Sequence, residues 1–478
     1  MQPRNVIKSV LSLLTILGGL MLFVPLIDFI YKEPLSLDFL FLGLTLLGIG
    51  VVSSFIKASQ LSTLEALVTA SISWITIPVI AAFPLMNQLN ISYLDALFES
   101  VSGFTGTGFT VLTPSTLKHS ILFWRSLMQW TGELGFVVFA MILIPYFYTV
   151  ARNLYGVERP VRIEATFYRT AIMLITIYMI LTISGTFFYV ITGMPVFDAI
   201  NHVMTTVATG GMSTYDTGYD YIFSFAPLTY FPVLVYMILG GMNFIDLHKL
   251  FYGKFRELIS SEELKYYILS LTVLSLLSVL AYYFIEGVHD IGLSIQAGIF
   301  NMVSGMTTTG FNIMSISNLS TATKSLLTVG MFIGAMSFST AGGIKSFRLM
   351  LLMKKLKNYT QSLISPSSMV REISVQRRKV SEADISAALL FIVVHGAVIL
   401  FSAIILTVYG YSLVNALFET TSAAGCVGLS SGVVSIEAPV AVKSVIIFDM
   451  ITGRIEYLHV FLLMALLFGR RTIQLTRQ

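Results

Sequence analysis

The chain is 478 residues long, 55% hydrophobic and only 11% charged, with a mean hydropathy of +0.83. A soluble protein carries about 25% charged residues, so a water-soluble enzyme of this size could not cover its surface, and the composition indicates one polytopic membrane protein. The single cysteine, Cys426, excludes an intrachain disulfide framework, cysteine zinc sites and CxxC redox pairs, and a net charge of +4 is too small to indicate a nucleic-acid partner.

Met1 to Lys8 is followed by an apolar stretch from about Val10 to Ile30. The stretch is too long for a signal-peptide core and no small-residue cleavage site precedes Lys32-Glu33, so it reads as a retained first transmembrane helix. Crossing the hydrocarbon core takes about 20 apolar residues. Runs that qualify lie near 10–30, 38–56, 66–86, 121–147, 170–193, 227–247, 266–286, 325–357, 385–409 and 441–468, which predicts ten full spans. No barrel-like alternation appears, and backbone groups in lipid must be satisfied internally, so the spans are expected to be helices.

Positive residues set the orientation. One set of alternate loops carries Arg152, Arg159, Arg162, Arg169, Lys249, Lys254, Arg256 and Lys265, and the 346–383 loop adds Arg348, Lys354, Lys355, Lys357, Arg371, Arg377, Arg378 and Lys379. Arg4, Lys8, Lys57 and the tail residues Arg470, Arg471 and Arg477 fall on the same side, against only Lys32, Lys118, Arg125, Lys324 and Lys443 on the other. Both termini are expected in the cytoplasm. The basic 346–383 loop is also a candidate docking segment for a cytosolic partner.

Between spans lie apolar segments too short to cross: Tyr93–Gly103, Val196–Thr206, Ile291–Gly305 and Ser412–Ala423. Eleven helical residues rise about 16 Å, roughly half the hydrocarbon thickness. Each segment runs into a small-residue turn. The turns are Thr105-Gly106-Thr107-Gly108-Phe109, Val207-Ala208-Thr209-Gly210-Gly211, Thr307-Thr308-Thr309-Gly310-Phe311 and Gly425-Cys426-Val427-Gly428-Leu429. The approaches match as well, with Ala96-Leu97-Phe98-Glu99 before the first and Ala416-Leu417-Phe418-Glu419 before the fourth, and Asp95-Ala96 corresponds to Asp198-Ala199. Gly108, Gly210, Gly310 and Gly428 align at intervals near 100 residues, with Gly211 as the alternative in the second turn.

Such a period means one supersecondary unit used four times. Irregular backbone at membrane depth survives where protein buries it or it lines a watery cavity, so four turns can meet on a central pseudo-fourfold axis. A ring of backbone carbonyls there can replace the hydration shell of a cation. If the half-helices aim their C-termini at the axis, their dipoles favour a cation too. The expected organisation is two extra helices over 1–60, then helix–pore loop–helix repeats over 61–155, 156–258 and 259–360, with a cytoplasmic linker and the fourth repeat over 361–478.

The turns, the two helices ahead of the first repeat, and the stretches Trp124-Arg125 through Gln129-Trp130, Leu239-Gly240-Gly241-Met242-Asn243-Phe244, Ser339-Thr340-Ala341-Gly342-Gly343-Ile344-Lys345 and Gly453-Arg454-Ile455-Glu456 are specific. Over nearly its whole length the chain resembles the superfamily of K+ transporters that contains the Trk, Ktr and HKT proteins, and within it the TrkH/TrkG-type membrane subunits of bacteria. The resemblance implies an all-α protein of the cell (inner) membrane with a K+ channel-like pore inside one subunit. It also implies a homodimer and a cytosolic ring of RCK-type, TrkA-like regulatory subunits that bind nucleotides. The transported ion would be K+, with no organic cofactor. Carried over by residue, the selectivity filter would be Thr105-Gly106-Thr107-Gly108, Val207-Ala208-Thr209-Gly210, Thr307-Thr308-Thr309-Gly310 and Gly425-Cys426-Val427-Gly428. Some Na+-preferring plant relatives have serine at the first filter glycine, so Gly108 favours K+. The chain departs from the family at Glu133, where a glycine is usual, and at Cys426, where threonine is expected.

Span eight is interrupted by Gly334-Ala335-Met336-Ser337-Phe338-Ser339-Thr340-Ala341-Gly342-Gly343. Three glycines beside three hydroxyls suit either close helix packing or a broken helix. The expectation adopted is a loop below the third filter strand that blocks the pore and moves when the cytosolic subunits bind nucleotide. Gly342 and Gly343 would be its hinges and Lys345 its inner anchor. Arg454 lies near the middle of span ten, where a charge is costly and marks function by default. The resemblance points it at the pore as a barrier. A buried pair is the structural alternative, with Asp449 and Glu456 as obvious partners and Asp449 or another span favoured over Glu456. Glu99 and Glu419 on the half-helices and Asp449 near the outer path are weaker candidates, for the ion path or for capping.

An enzyme is not expected. His119, His202, His248, His289, His395 and His459 are scattered without HExxH spacing, and neither a GxSxG elbow nor a Walker motif is present. His119 and His289 read as loop residues and His395 as a packed helix residue. Two transport readings remain as alternatives, a K+/H+ or K+/Na+ symporter and a Na+-selective conductor of the same fold.

Overall fold

The computed structural model describes residues 2–56, 62–134, 167–364, 372–376 and 378–457. Helix overlies each of the ten apolar runs. Among the described residues six helices are long and apolar enough to cross a membrane, at Pro3–Tyr31, Leu37–Ser54, Leu64–Leu89, Arg169–Ile191, Glu262–Phe284 and Glu382–Val408. The chain is a predominantly helical membrane protein. The only strands among the described residues are the two-residue pair Ser374–Val375 and Arg378–Lys379. The C-terminal parts of runs 121–147 and 441–468 lie outside the described residues, as do Lys57, Arg152, Arg159, Arg162, Arg371, Arg377, His459, Arg470, Arg471 and Arg477.

Two runs expected as spans are not continuous helices. Run 227–247 divides into Pro227–Gly240 and Phe244–Phe251, which meet at 119°. Consecutive glycines, each about 1 kcal/mol unfavourable in a helix, end the first piece. Asn243 starts the second by accepting the Ile245 amide at 2.8 Å. The break would orphan backbone groups, but the Gly241 carbonyl accepts from the Met336 amide and the Phe244 amide donates to the Phe338 carbonyl, both at 3.0 Å. Run 325–357 stops at Ile333 and resumes as helix at Ser346, so the segment foreseen as a break is one.

The short helices are Tyr93–Phe104, Val196–Val207, Ile291–Met306 and Leu413–Ala424. Ser92, Asp290 and Ser412 cap three of them, each accepting the amide three residues on. Every short helix packs between the helix before it and the helix after it. The helix that follows also packs on the short helix of the next unit: His119–Leu134 on Val196–Val207, Tyr230–Gly240 on Ile291–Met306, Thr321–Ile333 on Leu413–Ala424, and Val440–Arg454 back on Tyr93–Phe104. That last contact closes a cycle. The hairpin of Pro3–Met21 and Leu37–Ser54 packs on the first unit from outside it.

Buried basic side chains strengthen the cycle. Arg125, Lys324 and Lys443, assigned to outer segments from sequence, are buried. Lys443 Nζ lies 2.5 Å from Asp95 Oδ1 and Lys324 Nζ donates to Asn415 Oδ1 at 3.1 Å, each linking one unit to the next. His119 opens the helix His119–Leu134, with its ring 2.8 Å from Glu33 Oε1, rather than lying in a loop.

Candidate functional site

At the end of each short helix the chain makes the same turn. The residue after the C-cap has positive φ, and its amide and the next one donate back into the helix. In the first unit the Gly106 amide bonds to the Gly103 carbonyl and the Thr107 amide to that of Ser102, at 3.1 and 3.0 Å. The positive-φ residues are Gly106 (67°), Thr209 (51°), Thr308 (58°) and Cys426 (51°), and two residues later φ is positive again at Gly108, Gly211, Gly310 and Gly428. The second turn is therefore Ala208-Thr209-Gly210-Gly211, one residue later than the Val207–Gly210 taken from sequence. Val207 is the last residue of its helix. A β-branched residue in the left-handed region costs on the order of 1–3 kcal/mol, and here Thr209 and Thr308 both accept that strain.

The second set of glycines explains how the turns meet. A Cβ on Gly108 would lie 1.9 Å from the Gly210 carbonyl oxygen, on Gly211 1.9 Å from that of Thr309, on Gly310 2.0 Å from that of Val427, and on Gly428 2.1 Å from that of Thr107. Each turn thus presses its glycine against a carbonyl of the next, in the order one, two, three, four and back to one. No residue with a side chain fits this contact. The carbonyl ends of four helices converge on the ring, each bringing about half an elementary negative charge. These four glycines also line a cavity of about 230 Å3 on the side where the chain leaves the turns, together with Arg125, Asp216 and Asn312.

The non-helical segment that follows each turn is held by a buried polar side chain six residues before the turn. Glu99 accepts the Val111 amide at 3.1 Å and the Thr110 hydroxyl, and Asn301 accepts the Ile313 amide at 2.8 Å. Glu419 accepts the Ser431 and Val434 amides at 2.8 and 3.1 Å. In the second unit His202 Nδ1 donates to the Asp198 carbonyl and Nε2 lies 2.9 Å from Ser213 Oγ. Glu99 and Glu419 are thus braces for the turn. The roles of Asn301 and His202 were missed from sequence; counting back six residues from the third turn gives Asn301, but the second turn gives His202 only in its Ala208 register. Asp449 does not line this cavity; it is buried beside Ser402, whose hydroxyl donates to Oδ1 at 2.8 Å.

One face of the helix His119–Leu134 runs beside the ring, with Arg125, Gln129 and Glu133 at four-residue spacing. Arg125 donates to the Ser213 carbonyl at 3.0 Å, with Nε 3.6 Å from Glu99 Oε2. Gln129 donates to the Gly210 carbonyl at 2.6 Å and accepts the Met212 amide at 3.0 Å, clamping the second turn from both sides. Glu133 reaches the opposite end of the ring. A Cβ on Gly106 would meet its Oε1 at 1.9 Å.

The segment 334–345 lies under the turns. Its ends zip together through Lys345 amide to Ile333 carbonyl and Ser346 amide to Ala335 carbonyl, at 2.9 and 2.8 Å. Thr340 Oγ1 is 3.1 Å from the Val207 carbonyl and 3.2 Å from Thr209 Oγ1, the Gly342 amide donates to Thr308 Oγ1 at 2.9 Å, and a Cβ on Gly342 would sit 2.1 Å from the Gly425 carbonyl. The sequence placed this loop beneath the third turn alone; it touches the second, third and fourth. Ser339 and Ala341 are buried within it. Gly343 has φ 73°, and Lys345 Nζ lies 3.6 Å from Glu456 Oε1, which Arg348 also reaches through Oε2 at 2.6 Å.

Arg454 is paired with Glu133, a residue of another span, which is one of the two alternatives favoured from sequence. Nη1 lies 2.5 Å from Glu133 Oε2, and Nη2 donates to the carbonyls of Gly132 and Glu133 at 3.2 and 3.1 Å. Cys426 is buried, its Sγ 3.7 Å from the Met450 carbonyl.

The family model described as TrkH, cation transport protein, matches residues 46–471. An uncharacterized cation transporter of Methanocaldococcus jannaschii is 31% identical, over 98% of this chain and 98% of its own. The Trk system potassium uptake protein TrkH of Escherichia coli K12 is 28% identical, over 98% of this chain and 100% of its own. The crystal structure of the potassium transporter TrkH from Vibrio parahaemolyticus superposes with a TM-score of 0.84 at 25% identity, covering 97% of this chain and 98% of that one.

Proposed function

The chain belongs to the TrkH family of cation transport proteins, a family of transporters rather than enzymes, and from that premise we propose that it takes up K+ through a channel-like pore within a single subunit. The pore lies on the axis of four pseudo-symmetric helix–pore loop–helix repeats, built from ten full spans and four re-entrant half-helices. Its selectivity filter is formed by Thr105–Gly108, Ala208–Gly211, Thr307–Gly310 and Gly425–Gly428. The observation that carries this reading is the closed cycle of glycine-to-carbonyl contacts among the four turns. Backbone packed that tightly holds carbonyls at fixed spacing, as replacing a cation's hydration shell requires. At least three amides of each turn are already used internally, so what the turns offer the axis is carbonyl oxygen rather than N–H, with the Gly210 carbonyl also accepting from Gln129.

The loop 334–345 is the gate. Its seat against three turns supports a closed conformation here, and the Gly343 hinge and the Glu456 pairing with Lys345 and Arg348 supply a route for its release. Release follows nucleotide binding by cytosolic regulatory subunits of the TrkA type on a homodimer of this chain in the cell (inner) membrane, with both termini cytoplasmic. Shortening the loop should raise basal K+ flux in reconstituted liposomes. Unchanged flux in a folded deletion would remove the loop from gating.

A further inference from the structure

In three of the four units the outgoing helix touches the base of its own turn through a glycine, and the residue after that glycine holds an equivalent position at the inner end of the turns. A Cβ on Gly132 would lie 2.1 Å from the Phe104 carbonyl, on Gly240 3.2 Å from that of Val207, and on Gly453 2.0 Å from that of Ala424. The following residues are Glu133, Gly241 and Arg454. Two equivalent positions of adjoining units therefore carry opposite charges. We infer that Glu133 is a positioning residue for ion passage, which neutralises Arg454 and draws its guanidinium aside from the path below the ring.

The geometry supports both parts. The Arg454 side chain is 13% exposed and the Glu133 side chain 1% exposed, so the arginine is the more accessible member of the pair. The guanidinium is turned toward the first unit by the Glu133 carboxylate at 2.5 Å and two carbonyls, and it lies 5.2 Å from the centre of the Trp74 ring. The other carboxylate oxygen lies against Gly106 at the inner end of the first turn. An uncompensated unit charge in a region of effective dielectric about 20 acts on a cation several ångströms away, while a closed pair acts as a dipole and falls off faster. The inference rests on the proposed K+ path through the ring.

The test is Rb+ uptake by K+-depleted bacteria lacking their own K+ uptake systems and expressing the full chain as wild type, E133Q, E133D, R454Q or E133Q/R454Q. E133Q should lower uptake by about tenfold or more, equivalent to roughly 1.4 kcal/mol, while E133D, which keeps the charge, stays near wild type. In the R454Q background the E133Q change should cost little, a rescue that a packing defect would not give. E133Q uptake equal to wild type, or an equal loss in both backgrounds, overturns the inference. Should E133Q fail to fold, E133Q/R454Q against R454Q decides: matched uptake supports neutralisation and a further loss overturns it. If wild type itself carries no Rb+, the K+ reading has failed and the inference falls with it; a conducting wild type with an indifferent E133Q sinks the inference alone.

Discussion

Gly310→Ala isolates the contact on which the ring depends. Gly310 has φ 83°, and placing any L side chain in that region costs roughly 1–2 kcal/mol. Its Cβ would also stand 2.0 Å from the Val427 carbonyl oxygen, so turn three or turn four must move by about 1 Å to reach the 3.0 Å that real contacts keep. Gly410 is the control. Its φ is 92° but nothing lies within 4 Å of its Cβ, so Gly410→Ala carries the backbone cost without the clash. Gly410→Ala should lose about 1–2 °C of thermal stability in detergent, which is what roughly 1–2 kcal/mol gives in a chain of this size, and Gly310→Ala more because of the clash. Only Gly310→Ala should lose ion discrimination, since displacing Val427 opens one side of the carbonyl ring. Rb+ uptake competed with Na+ in liposomes reads this directly. A Gly310→Ala protein that conducts at the wild-type rate with Na+ still excluded would refute the argument that tight packing sets the ring.

Other sites give further tests. Gln129→Leu removes two buried hydrogen bonds to the second turn, each worth about 1 kcal/mol and more when its partner is left unsatisfied; ion competition should show weaker discrimination against Na+, and unaltered discrimination would mean the clamp is dispensable. Lys443→Met strands the buried Asp95 carboxylate, a loss of about 3–5 kcal/mol, so unfolding should shift down sharply and K443M/D95N should recover part of it. Thr340→Val removes a hydroxyl that lies within hydrogen-bond distance of the Val207 and Gly240 carbonyls; basal Rb+ flux should rise several-fold, about 1 kcal/mol of lost seating, and a fall would argue against a gate held from above.

Much of the architecture was legible in the sequence because the signals are local. Apolar runs give helices, and four short helices ending in Thr- and Gly-rich turns announce themselves by period. The second turn resisted because Gly210 and Gly211 are adjacent, so two registers satisfy the same pattern; only backbone φ separates them. The bend after Gly240 was hidden inside a continuously apolar run, and the groups that stabilise it come from Met336 and Phe338, nearly a hundred residues away. The burial of Lys324 and Lys443 was hidden because Asn415 and Asp95, their partners, belong to the next unit, and Arg125 reaches the Ser213 carbonyl of the second unit as well as Glu99 of its own. Arg454 pairs with Glu133 across most of the chain, a relation that no window of sequence contains.

The most direct test is cation flux in liposomes holding the purified full chain, measured down imposed gradients of K+, Rb+, Na+ and Li+ beside a Gly310→Ser preparation. K+ and Rb+ should pass far faster than Na+ and Li+ without a proton gradient, and the substitution should abolish the flux or its selectivity. Equal passage of all four ions, indifference to Gly310→Ser, or an absolute need for a proton gradient would contradict a K+-selective pore built from the four turns.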